Sequence, residues 1–133
     1  MSVDGIDAHP RPLQRGGPPV VVGGNSEAGL RRAVAFGDGW YGYRLDPPSA
    51  AAAVERLRQL AKDAGRDPTD LEVTVTPSTA LDDRVLRAYI DAGVDRLVVI
   101  AEGADLDEVA TIVEAHRPAR WMSASSLQRK DLP

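Results

Sequence analysis

At 133 residues, 43% hydrophobic and 27% charged, the chain has the size and composition of one globular domain with one sizeable core. It has no cysteine, which removes disulfides, thiolate metal sites and thiol nucleophiles, and its two histidines, His9 and His116, are too far apart in sequence to suggest a metal site. A formal net charge of −4, with 20 acidic against 16 basic residues and no long basic run, argues against nucleic acid as a partner.

Residues 1–18 show no periodic apolar pattern, and His9-Pro10-Arg11-Pro12 and Gly16-Gly17-Pro18-Pro19 favour extended or turning backbone, so they read as an extended lead-in. The β-branched run Val20-Val21-Val22 predicts a first strand over 19–23, buried on both faces. Gly23-Gly24-Asn25-Ser26 then turns into a helix of about ten residues, with Leu30, Ala33 and Val34 inward, Glu27 and Arg31 paired outside, and Gly37 as the stop. Residues 38–43 form a short second strand. A long helix follows, with Ser49 as the expected N-cap, Val54, Leu57, Ala61 and Ala64 on one face, and Gly65 past its end.

Residues 71–76 alternate apolar and polar, predicting a third strand half-buried with period two. The next helix spans about 82–92, with Val85, Leu86, Tyr89 and Ile90 inward and Gly93 at its end. Residues 96–100 predict a fourth strand, again apolar on both faces. Asp105-Leu106-Asp107-Glu108 has capping-box spacing for a last helix, with Leu106, Val109, Ile112 and Val113 inward and Pro118 closing it. Residues 119–133 read as a flexible tail, with Trp121 and Met122 as docking points. No apolar stretch approaches the ~20 residues that span a bilayer, and the first ten residues lack a signal-peptide pattern. A cytoplasmic protein with no membrane partner is expected.

Four strand–helix units over 19–118 imply an α/β fold with a parallel sheet and right-handed crossovers. A complete eight-unit barrel needs about 250 residues, so the expectation is four units forming half of a TIM-type barrel. Its strand order should be 1-2-3-4, with the helices on one face. An open flavodoxin-like sheet of order 2-1-3-4 is the competing topology.

Several pieces in succession resemble the bacterial luciferase-like family. They are Pro10-Arg11-Pro12-Leu13-Gln14, Pro18-Pro19-Val20-Val21-Val22-Gly23-Gly24-Asn25-Ser26, Leu30-Arg31-Arg32-Ala33 and Gly37-Asp38-Gly39-Trp40. Asp63-Ala64-Gly65-Arg66-Asp67-Pro68 and the stretch from Tyr89 to Val99 are similar too, so the resemblance covers roughly 10–117. It implies the C-terminal half of an eight-unit barrel, and a flavin- or coenzyme F420-dependent oxidoreductase or monooxygenase acting on a small molecule. It implies a cofactor, F420 or FMN, whose phosphate is held at Gly23, Gly24, Asn25 and Ser26. Free backbone N–H groups and the positive helix end suit that role; the plainer reading is a turn with an N-cap.

Trp40, Tyr43 and Arg44, toward the end of the second strand, are the candidate substrate-pocket residues; aromatic packing is the alternative for Trp40 and Tyr43. Thr76 and Glu102 also end or follow strands on the face where barrel sites lie, whereas Asp38 starts a strand and reads as structural. No nucleophile–base pair is evident, so catalytic residues are unassigned. With units one to four missing, activity is expected to need a homodimer or a complementary N-terminal half-barrel. The alternative is a non-catalytic module that dimerises or binds a phosphate-bearing ligand.

Overall fold

The computed structural model describes residues 17–102 and 105–116. Most of the expected lead-in, His9, Pro118 and the tail with Trp121 and Met122 lie outside the described residues. The elements are β1 (Val21–Gly23), α1 (Glu27–Phe36), β2 (Gly39–Leu45), α2 (Pro47–Asp63), β3 (Glu72–Pro77), α3 (Asp83–Asp91), β4 (Arg96–Leu97) and α4 (Leu106–Ala115). The four strands form one parallel sheet in the order β1-β2-β3-β4. That is the order of an arc of a TIM-type barrel, and it rules out the flavodoxin-like alternative.

Strand pleating gives the two faces of the sheet different jobs. The register aligns Val22 with Trp40, Trp40 with Val73, and Val75 with Leu97. Val22, Trp40, Val73 and Val75 are buried in one cluster with Leu30, Ala33 and Val34 of α1, Val54, Leu57, Leu60 and Ala61 of α2, and Tyr89 of α3. Side chains alternate along a strand, so Val21, Tyr41, Thr74 and Thr76 point to the opposite face. Helices α1, α2 and α3 therefore cover one face, as the repeated crossovers require. No α4 residue enters the cluster.

Several expectations are corrected here. The first strand is not buried on both faces: Val22 is 8% exposed, but Val20 and Val21 are each 47% exposed. Among the described residues β1 is an edge strand with β2 as its one neighbour, and only Val22 of the run joins the cluster under the helices. The third strand does not alternate in burial, since Val73, Thr74, Val75 and Thr76 are all buried. β3 is an inner strand, and its threonines are covered by side chains on their own face. The hydroxyl of Tyr41 bonds that of Thr76, and Glu72 and Arg96 pair across β3 and β4 at 2.9 Å.

The fourth strand stops at Leu97, and Val98, Val99 and Ile100 are 37–41% exposed. Among the described residues β4 is an edge with one neighbour. The inner face of the last helix is also poorly covered, with Leu106 85% and Val113 55% exposed, and Ile90 of α3 is 44% exposed. The N-cap of α2 is Asp46, not Ser49: its carboxylate accepts the Ser49 N–H at 2.9 Å, and Pro47 and Pro48 fill the first turn. Proline suits these positions because their N–H groups have no intrahelical acceptor. Ala64 is the exposed C-cap of α2 rather than part of its buried face.

Two aspartates repeat one device. Asp38, just before β2, accepts the Val20 N–H at 2.7 Å and donates its own N–H to the Val20 carbonyl at 2.7 Å. Asp95, just before β4, does the same to Val73, both bonds at 2.9 Å. Each pins the start of a strand to its neighbour and thereby sets the register. Arg66 ties a third point, donating to the carbonyls of Ala33 and Val34 at the C-terminal end of α1, where a cation is favoured.

Candidate functional site: the C-terminal end of the sheet

The turn after β1 is built by backbone constraints. Gly24 has φ 124°, a conformation that side chains rarely adopt. Its N–H donates to the Tyr41 carbonyl at 3.2 Å, and its carbonyl accepts the buried indole N–H of Trp40 at 2.8 Å. Ser26 is the N-cap of α1, its hydroxyl accepting the Gly29 N–H at 3.3 Å. Asn25 clamps the turn to β2: its Nδ2 donates to the Tyr43 carbonyl at 2.8 Å, and its Oδ1 accepts the Tyr43 N–H at 3.0 Å.

This turn has the features an anionic group needs. The amides of Ser26, Glu27 and Ala28 belong to a first helical turn, which leaves such donors without intrahelical acceptors. A Cβ on Gly23 would meet nothing within 4 Å, so the backbone is approachable there. The guanidinium of Arg32 comes within 3.9 Å of where a Cβ on Gly24 would sit. The nearby Glu27 carboxylate is held by Arg31 at 2.8 Å and by Arg56 at 2.5 Å, and the Arg56 hydrogen bond is the main reason its pKa lies below the ordinary value. The residues present therefore fit a cofactor phosphate.

The second part of the site comes from a bulge in β2. The register slips between Gly42, opposite Val75, and Leu45, opposite Pro77, so β2 has one residue more than β3 there. Such an insertion re-aims the side chains it contains. Gly42 and Leu45 both face the helices: a Cβ on Gly42 would lie 2.6 Å from the Trp40 ring and 2.7 Å from Leu45. Tyr43 and Arg44 are left facing the other way. Arg44 has φ 48° and is the non-glycine residue with positive φ among those described.

Arg44 borders a cleft of about 340 Å³ with Thr76, Ser78, Thr79, Glu102 and His116, floored by Val99, Ile100 and Ile112. Its guanidinium lies 5.7 Å from the Tyr43 ring centroid and 3.1 Å from a Glu102 carboxylate oxygen. Tyr43, then Glu102, raise its pKa above the ordinary arginine value, so it stays charged throughout the working pH range. His116 is fixed by a 2.7 Å contact between Nδ1 and the Ile112 carbonyl.

The structure thus brings together most of the residues singled out in the sequence. Gly23, Gly24, Asn25 and Ser26 form one turn, joined through Asn25 to Tyr43 and its neighbour Arg44. Thr76, Glu102 and His116 share Arg44's cleft. Trp40 is set apart, fully buried on the helix side of the sheet, holding the Gly24 carbonyl from below. Sequence reasoning passed over Arg32, whose place one turn into the helix after a Gly-Gly turn was the available signal, and gave no sign of the bulge. Among the described residues no group of three or more metal-ligating side chains is gathered, and no helix is long and apolar enough to cross a membrane.

The family model for luciferase-like monooxygenases matches residues 1–132. No curated protein matches the chain. The chain belongs to the luciferase-like monooxygenase family, which supports an oxidoreductase-type function and generally goes with flavin or F420 cofactors.

Proposed function

From membership in the luciferase-like monooxygenase family, we propose that the chain is a flavin- or coenzyme F420-dependent oxidoreductase domain acting on a small molecule. The observation that carries this reading is the placement of the Gly24 turn and the Arg44 cleft at one end of a parallel sheet, where barrel enzymes build their sites. Gly23, Gly24, Asn25 and Ser26 hold the cofactor phosphate through the amides of the first turn of α1, with Arg32 as an added cation. When bound, the cofactor supplies the redox chemistry. The chain's own residues bind and orient: Arg44 borders the substrate, with the Tyr43 ring against its guanidinium and Ser78 and Thr79 lining the same cleft.

The barrel is completed by further β/α units, from a second copy of the chain or from a complementary half-barrel. Among the described residues β1 and β4 are open edges, with exposed Val20, Val21, Val98 and Val99, and this supports the proposal, because unpaired edges and exposed apolar side chains favour association. Two measurements test the proposal. Titration of FMN and F420, followed by fluorescence, should show binding of one of them, weakened by Ser26→Glu through repulsion of the phosphate. Unchanged affinity in that variant rejects the turn. Light scattering on dilute protein should show a dimer or larger species, and a monodisperse, cooperatively folding monomer rejects completion by a second copy.

A further inference from the structure

The strained Arg44 has an unusual amount of structure holding it. Left-handed backbone at a non-glycine residue is unfavourable and persists only where its surroundings over-determine it. Here both neighbours are fixed. Tyr43 is held at N–H and carbonyl by Asn25, and the Leu45 carbonyl accepts the Ser78 N–H at 3.0 Å and the Tyr89 hydroxyl at 2.5 Å. The result of this arrangement is a permanently charged guanidinium at the cleft mouth.

The partner it has there is weakly committed. The Arg44–Glu102 pair is a single 3.1 Å contact between side chains 55% and 68% exposed, and such pairs contribute little. Glu102 follows β4 on a short exposed segment, while Arg44 is fixed by the bulge. A carboxylate already rests against Arg44, so the geometry accepts one. The rest of the lining suits a small, partly apolar molecule: Val99, Ile100 and Ile112 supply apolar surface, with Ser78 and Thr79 beside them.

We propose that this cleft binds a small-molecule substrate bearing a carboxylate, with Arg44 as its anchor and Glu102 holding the place until the ligand displaces it. This rests on reading the cleft as the substrate pocket, and it adds the substrate's chemical class. A guanidinium matches a carboxylate with two parallel N–H donors, and lysine does not reproduce that match.

The test titrates the full chain with benzoate, its neutral isostere benzamide, and inorganic phosphate, followed by backbone amide NMR shifts. It is run without cofactor and again with FMN or F420. Benzoate should shift amides around residues 43–45, 76–79 and 99–102 and bind at least about tenfold tighter than benzamide. Glu102→Gln should tighten benzoate binding, by about threefold or more, because Arg44 loses its competitor. Arg44→Lys should weaken it several-fold. Arg44→Gly should abolish it without lowering the melting temperature, since glycine relieves the left-handed strain, which separates a binding role from a structural one.

Equal binding of benzoate and benzamide, or no binding of either, overturns the proposal. So does an unchanged affinity in Glu102→Gln or Arg44→Gly, or phosphate binding in place of benzoate. Benzoate binding without any FMN or F420 binding fails the cofactor reading alone, and the converse fails this one alone.

Discussion

Gly29→Ala sets two strong local rules against each other. Gly29 lies inside α1, where alanine is favoured over glycine by about 0.8–1.0 kcal/mol. By propensity alone the substitution stabilises the protein. The structure argues the reverse. A Cβ on Gly29 would lie 2.6 Å from the Gly24 carbonyl oxygen and 3.0 Å from its carbon. Both atoms are backbone, so no side chain can swing away.

Relief needs a shift of roughly half an ångström in the turn or the helix, and overpacking of this kind costs about 1–3 kcal/mol. The turn is not free to shift, because the same oxygen accepts the Trp40 indole N–H at 2.8 Å. Trp40 is fully buried, so losing that bond strands a buried donor, at a cost of about 1–3 kcal/mol. After the helical gain the net expectation is a loss of about 2 kcal/mol. For a domain of this size that lowers the melting temperature by roughly 6–10 °C. Thermal unfolding followed by circular dichroism measures it. A double-mutant cycle with Trp40→Phe isolates the mechanism: Gly29→Ala should cost about 1 kcal/mol less where no indole N–H remains. An unchanged or raised melting temperature in Gly29→Ala would mean that the turn yields freely, and its role as a rigid cradle would be refuted.

Asn25→Ala removes both bonds to Tyr43 and should lower stability by about 1 kcal/mol, these bonds being exposed; a melting curve indistinguishable from the parent's argues that the clamp is idle. Tyr89→Phe deletes the hydroxyl that donates to the Leu45 carbonyl; because Ser78 still donates to that oxygen, the expected loss in chemical denaturation is about 1 kcal/mol, and a loss several times larger would show that the bulge depends on Tyr89 alone. Stability should also fall in acid. Hydrogen bonds from Ser49 to Asp46 and from the Thr69 backbone to Asp67 hold both carboxyls below their ordinary 3.8, and Arg56 holds Glu27 below 4.5. Folded-state values that are depressed give stability that is present above the unfolded values and lost as pH falls through the folded ones, so the loss lies below about pH 4. Melting temperatures from pH 7 to 2.5 should drop in that window, and less steeply in Asp46→Asn, which keeps an N-cap; a flat profile refutes the attribution.

The order of elements was readable because each signal is local. Gly37, Gly65 and Gly93 punctuate the helices, Ser26 caps the first, and the apolar spacing of Leu30, Ala33 and Val34 or of Val54, Leu57 and Ala61 places their inner faces correctly. Burial along the strands was not readable. Val20 to Val22 and Leu97 to Ile100 have the composition of inner strands, yet in the described residues they sit at or beyond sheet edges, and edge position is a property of the assembled sheet. Thr74 and Thr76 look like a solvated face and are buried because Tyr41 of β2, Arg96 of β4 and Glu72 of β3 itself gather over them. In the site, the Gly-Gly turn announces itself, whereas the bulge leaves no local trace. Nothing in Gly42-Tyr43-Arg44-Leu45 says that Arg44 is left-handed; its two neighbours are held by residues 18 to 44 positions distant.

Trp40 shows how the two parts of the site share one scaffold. From sequence it is a pocket candidate, and in the structure it lies beneath the sheet. Its indole N–H fixes the Gly24 carbonyl, and so the turn that faces the cofactor phosphate in the proposed function. The far edge of the same ring fills the space beside Gly42, directly before the bulge. Any residue larger than glycine at 42 meets Trp40 and Leu45 together, so the buried ring and the bulge coexist here because position 42 is glycine. From the side, Asn25 joins the turn to Tyr43, the residue before Arg44. Displacing the turn therefore works against Trp40 below and Asn25 beside it, and both lead to the backbone that aims Arg44. The turn and the cation are thus placed by one connected set of buried and hydrogen-bonded groups, the condition under which a cofactor and its substrate are held at a fixed relative distance.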